Sequence, residues 1–211
     1  MKDIPEKQNP PGIGRIESFS DGVIAFAITL IVLELLDPAL SFFNNGNFSD
    51  ISAMILKPLL VYILSFIMIA IMLVNHQDLM RRATHATPKL FWLNTHLLFW
   101  ITLVPVSTAV LGAHLFQPLA IAFYGLVLTG SALAFTLLHR CVAILRRGSG
   151  TVSVLHSPLL HSNLIATILY AASIPLAFVS PYLSLVIFVI IPCAYFFPRY
   201  DFGHPTKINS H

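Results

Sequence analysis

Apolar residues fall in six blocks along this chain, at about 19–36, 54–74, 90–111, 118–138, 159–179 and 181–197, with most of the charge held in the stretches between them. Each block approaches the ~20 residues with which an α-helix crosses ~30 Å of hydrocarbon. Backbone polar groups must be satisfied within the segment at that depth, so the pattern predicts an all-α membrane protein with six transmembrane helices. The last block is the shortest, and Ser180 with Pro181 leaves almost no loop before it.

Composition agrees with this reading, since 56% of the residues are hydrophobic and only 10% are charged, well away from soluble domains. The net charge of +3 would suit a nucleic-acid partner if the basic residues clustered, but their placement marks topology instead. Under six spans, Lys2, Lys7 and Arg15 precede the first, Arg81, Arg82 and Lys89 follow the second, and Arg140, Arg146 and Arg147 follow the fourth. Arg199 and Lys207 follow the sixth, so that 11 of the 12 Lys and Arg residues share one side and only Lys57 lies on the other. Cytoplasmic loops carry the excess of Lys and Arg, which puts both termini in the cytoplasm of a multi-pass protein of the cell membrane.

Residues 1–14 carry Pro5, Pro10, Pro11, Gly12 and Gly14 and read as a loose cytoplasmic arm, with helix beginning near Arg15. The six-helix domain takes 15–200 and a cytoplasmic tail 201–211. The first outer loop, about Pro38 to Ser52, is rich in Asn and Gly and contains an Asn47-Phe48-Ser49 acceptor sequence. The inner loop after the second span runs from about His76 to Pro88, and Arg146 to Val154, with Gly148, Ser149 and Gly150, reads as a flexible link inside one domain.

The first block carries the chemistry. Arg15, Phe19, Ser20 and Asp21 put charge at the mouth of an apolar helix, where ionisable groups are costly and functional by default. On a helical wheel Phe26, Thr29, Leu30, Leu33 and Asp37 share one stripe, which Gly22 and Phe19 extend toward the cytoplasm. Asp21 falls about 140° from Phe26 on that wheel. The charged group and the stripe therefore have separate jobs. Ser18-x-x-Asp21 fits a capping box; alternatively Ser20 and Asp21 bond to neighbouring helices, with Asn75, His76, Trp92, Asn94 and His96 as partners at the same depth. The stripe is either ordinary packing or the lining of a pore, with Asp37 and Glu34 then forming a cation-concentrating outer mouth.

The run Arg15-x-x-x-Phe19-Ser20-Asp21, trailed by Thr29, Leu30, Leu33, Glu34 and Leu35, resembles the first helix of the transmembrane protein 175 family of potassium channels. A six-span chain of this size is similar to the family's single-repeat prokaryotic form. That resemblance implies a homotetramer in the lipid bilayer whose first helices line a central pore for K+, without a cofactor. It gives the hydrophobic constriction to Phe26, with Leu30 and Leu33 as further apolar collars, and potassium preference to Thr29. The family usually places isoleucine or leucine at the constriction, where this chain has Phe26. The cross-helix reading of Ser20 and Asp21 makes Arg15, Phe19, Ser20 and Asp21 a helix-anchoring motif.

A TVGYG filter, a re-entrant loop and an arginine ladder are absent from the sequence, so selectivity falls to side chains of the first helix. The dispersed histidines show no H-x-x-x-H or H-E-x-x-H spacing, which argues against a metal site. No G-x-S-x-G or P-loop supports an enzyme. The competing class is a small secondary transporter of a cation or polar solute, for which Pro105, Pro175 and Pro192 supply possible helix breaks. The six-span topology is checked by a reporter fused after His211, which is expected to report the cytoplasm; a signal from the outer side refutes the plan.

Overall fold

The computed structural model describes residues 12–45, 55–148 and 158–196. Eight helices follow one another: α1 (Ile13–Leu33), α2 (Leu36–Asn45), α3 (Lys57–Arg81), α4 (Pro88–Thr102), α5 (Val104–Ala113), α6 (Pro118–Gly148), α7 (Pro158–Val179) and α8 (Pro181–Phe196). Taking α1 with α2 and α4 with α5, five spans are long and apolar enough to cross a bilayer, and α8 is a shorter apolar helix. The six blocks of the sequence thus correspond to five units of membrane-crossing length, two of them interrupted, and the shorter apolar helix α8.

Both interruptions have local causes. The amides of Glu34 and Leu35 bond the carbonyls of Ile31 and Val32, three residues back, so the chain tightens by a partial turn before α2 starts. Asp37 consequently belongs to the first turn of α2 rather than to the helix that carries Phe26. In the second case Pro105 has no amide to bond the carbonyl of Ile101, and the chain turns at Leu103. Pro175 and Pro192, by contrast, sit inside continuous helices.

Three expectations about loops change. Helix begins at Ile13, two residues before Arg15, after Gly12 in a left-handed conformation (φ 88°). A Cβ at Gly12 would stand 3.0 Å from that of Ala86, so glycine is needed both for the backbone and for the close approach. The outer loop expected from Pro38 is helical as far as Asn45, and the inner loop expected from His76 is helical as far as Arg81. The Asn47 acceptor sequence lies outside the described residues.

Packing proceeds from the middle of the chain outward. The long helix α6 lies against α4, α5 and α7; α7 packs on α8; and α1 packs on α3, α4 and α5. One core joins Ile24, Ala27 and Ile31 of α1 to Leu97 and Ile101 of α4 and to Ala134 and Leu138 of α6. A second gathers Tyr124 of α6, Tyr170 of α7 and Phe188 of α8. Thr87 opens α4 by accepting the Leu90 amide at 3.1 Å, with Pro88 following it in the first turn.

The α4–α6 contact depends on Gly130, where a Cβ would collide with the indole of Trp100. Gly130→Ala is expected to destabilise the protein by about 1–3 kcal/mol through overpacking, read as a lower melting temperature in detergent. Adding Trp100→Leu should recover most of the loss; an unchanged melting temperature for the single variant contradicts the contact.

Candidate functional site

The inner face of α1 is the set Ile13, Ile16, Ser20, Ile24, Ala27 and Ile31, all buried. Its spacing of three and four residues is that of a helix packed along one side. Ser20 is the single hydroxyl in this set, and its Oγ donates to the Ile16 carbonyl at 2.7 Å. The same Oγ accepts from Asn94 Nδ2 of α4 at 2.8 Å. Asn94 Oδ1 in turn lies 2.8 Å from His76 Nε2 of α3. Because the amide oxygen can only accept, His76 Nε2 carries the hydrogen, and in the neutral ring Nδ1 is the bare acceptor. His76, Asn94 and Ser20 thus form a directed relay of donors that ends on the α1 backbone. Each of the three is fully buried, where a satisfied polar contact is firm and a broken one expensive.

Asp21, the next residue, is half-buried, and its Oδ2 accepts a long 3.4 Å bond from Gln77 Nε2 of α3. Its other oxygen is buried without a partner. Two successive residues of α1 therefore reach two successive residues of α3, Ser20 through Asn94 and Asp21 directly.

The opposite face of α1 is bare. Phe19, Gly22, Phe26, Thr29 and Leu33 are all exposed in the single chain, Phe26 to 62%. Leu30 is half-buried at the edge of this strip, as is Glu34 above it, while Asp37 is exposed. Thr29 donates its hydroxyl hydrogen to the Phe26 carbonyl at 2.8 Å, which leaves the oxygen lone pairs of Thr29 pointing outward.

Of the residues singled out from the sequence, the structure brings Ser20, Asn94 and His76 together and sets Asp21 beside them. Arg15 and Phe19 are exposed and join none of these bonds. Trp92 is 69% exposed on the outside of α4. His96 is bonded along its own helix to Trp100 Nε1 at 3.4 Å, and Asn75 lines a cleft behind α3. The capping-box reading of Ser18 is corrected, because Ser18 stands in the second turn of a helix that starts at Ile13. Gln77 was missed, although its position one residue after His76 was its signal. A second knot was also missed: Thr108 Oγ1 lies 2.8 Å from Ser65 Oγ, and Ser65 Oγ lies 3.0 Å from the Tyr124 hydroxyl, joining α5, α3 and α6. Among the described residues no group of three His, Cys, Asp or Glu could hold a metal ion.

Known proteins share this plan. The model of the family described as "Endosomal/lysosomal potassium channel TMEM175" matches residues 15–105. A potassium channel of Chryseobacterium sp. (strain P1-3) is 34% identical over 199 residues, 93% of this chain and 98% of that protein. A potassium channel of Chamaesiphon minutus (strain ATCC 27169 / PCC 6605) is 32% identical over 146 residues, 68% of this chain and 70% of that one. The crystal structure of a lysosomal potassium-selective channel TMEM175 homolog from Chamaesiphon minutus matches with a TM-score of 0.70 at 26% identity, covering 87% of this chain and 95% of that one. With its first helix, its helical plan and nearly its whole length shared with such proteins, the chain belongs to the TMEM175 family of potassium channels.

Proposed function

We propose that four copies of this chain assemble around a central axis in the cell membrane, termini in the cytoplasm, and pass K+ down its gradient between their α1 helices. The observation that carries this is the division of α1 into a face locked by buried packing and hydrogen bonds and a face left bare, Phe19-Gly22-Phe26-Thr29-Leu33. One helix cannot enclose a pore. Several copies turned so that their bare faces meet can do so. The names of the relatives favour conduction over carriage, and K+ is the cargo rather than a resident cofactor.

In this arrangement Phe26 forms the apolar constriction, with Leu33, and Leu30 at its flank, as further collars. A ring of such side chains holds back ions by excluding the water that would accompany them. Thr29, one turn from Phe26, presents acceptor oxygens to a cation, its own hydrogen being engaged by the backbone. Glu34 and Asp37 lie toward the outer end, where carboxylates raise the local cation concentration. The relay of His76, Asn94 and Ser20, with Asp21 and Gln77 beside it, fixes the rotation of α1 about its own axis. Rotation is what decides whether Phe26 faces the axis.

Two measurements test these roles. In single-channel recordings of the purified protein, unitary K+ currents are expected, and Phe26→Ala should raise the unitary conductance several-fold while Thr29→Ala lowers the preference for K+ over Na+; if neither variant alters permeation, α1 does not line the pore. Asn94→Ala removes both of its side-chain hydrogen bonds and strands His76, with an expected loss of about 1–2 kcal/mol. Thermal unfolding of the assembly reads that loss, and Trp92→Ala should leave the midpoint unchanged. Equal midpoints for the two variants would remove the anchoring role from Asn94.

A further inference from the structure

Glycines elsewhere among the described residues are explained where they stand. Gly12 alone of them has a positive φ, and a Cβ at Gly125 or Gly130 would collide with Ser173 Oγ at 2.8 Å or with the Trp100 indole. Gly22 is different. It lies well inside α1 (Ile13–Leu33), with no left-handed backbone to require it. A glycine there weakens a helix relative to alanine, yet a Cβ on it would meet no neighbouring group within 4 Å. Neither the backbone nor the packing of the subunit calls for it.

What Gly22 leaves open lies beneath Phe26. Both are on the exposed face of α1, and a separation of four residues makes them neighbours one helical turn apart, with the glycine nearer the N-terminus. An aromatic side chain in a helix takes one of two χ1 rotamers, which lean it toward the N-terminus over the residues three and four back. For Phe26 these are Val23 and Gly22. Val23 carries a branched side chain packed against the core, whereas Gly22 offers bare backbone as a seat. The ring does not lie on that seat in this structure: it stands 62% exposed, and no side-chain atom comes within 4 Å of where a Cβ of residue 22 would be.

We infer that Gly22 is a positioning residue for the constriction: the pore opens when each Phe26 ring folds down its own helix onto Gly22, and closes when the rings stand out toward the axis. This rests on the reading of α1 as the pore lining. A rotamer change moves the ring without turning the helix, whose other face is held by the packing of Ile24 and the bond between Asn94 and Ser20. Standing out, the rings exclude water and with it the ion. Folded down, each ring clears the path and covers backbone that is otherwise bare.

Gly22→Ala places a methyl on the seat while favouring the helix, so a loss of current in this variant is not a loss of folding. In single-channel recordings of the full-length protein it is expected to lower the open probability about tenfold, with a melting temperature no lower than that of wild type. In a Phe26→Ala background, where there is no ring to seat, the same substitution should change the open probability by less than about twofold. An equal fall in both backgrounds overturns the inference and marks Gly22 as a residue over which neighbouring α1 helices approach. So does an unchanged open probability in Gly22→Ala. Should Gly22→Ala not assemble, assembly of the Gly22→Ala, Phe26→Ala double variant supports the seat, and failure of both overturns it. The pore reading fails separately, by a Phe26→Ala variant that conducts as wild type does, and the seat then falls with it.

Discussion

The Asn94 amide uses its nitrogen and its oxygen on different helices: Nδ2 donates to Ser20 of α1 at 2.8 Å and Oδ1 accepts from His76 of α3 at 2.8 Å. In hydrocarbon, apolar packing among helices gives little preference for one rotation over another, because lipid tails are as apolar as leucine. A polar side chain with a single satisfying geometry removes that freedom. The buried isoleucines of α1 supply contact area along the helix, and the hydrogen bonds select which way it faces. The bare strip through Phe26 is the complement of that choice.

The same logic recurs at Ser65, Thr108 and Tyr124, where the α4–α5 interruption is tied to α3 and α6. Thr108 also donates to the Val104 carbonyl at 2.7 Å, within the first turn of α5. A helix broken at depth must find such partners within the protein. Pro175 shows the alternative, in which the helix continues through the proline. Of the three prolines that would have suited a carrier, only Pro105 coincides with a break in a helix.

Much of this was legible in the sequence, for reasons that differ by feature. The spans were, because their signal is additive over some twenty residues. The company kept by Ser20 was legible in part: Asn94 and His76 were found as polar residues at matching depth, but Trp92 and His96 satisfied the same rule and face elsewhere. Depth follows from counting residues, whereas facing depends on where each helix begins its turn. The loss of Asp37 from the stripe has that origin too, since a tightened turn at Glu34 shifts everything beyond it. The Ser65 knot was illegible because its members are 43 and 59 residues apart and no charge drew attention to them.

The bare face of α1 holds three large side chains at a regular interval. The buried set steps from Ile13 to Ile31 by 3, 4, 4, 3 and 4 residues, the 3.6-residue turn of a straight helix. On the bare face, which also exposes Arg15, Ser18, Ala25 and Val32, the large side chains Phe19, Phe26 and Leu33 recur every seven residues. A heptad line drifts by about 20° for every seven residues around a straight helix. A helix laid in register along such a line would wind about α1 with a left-handed twist. Phe19, Phe26 and Leu33, seven residues apart, are accordingly offset around α1 by about 20° from one to the next rather than stacked in line with its axis.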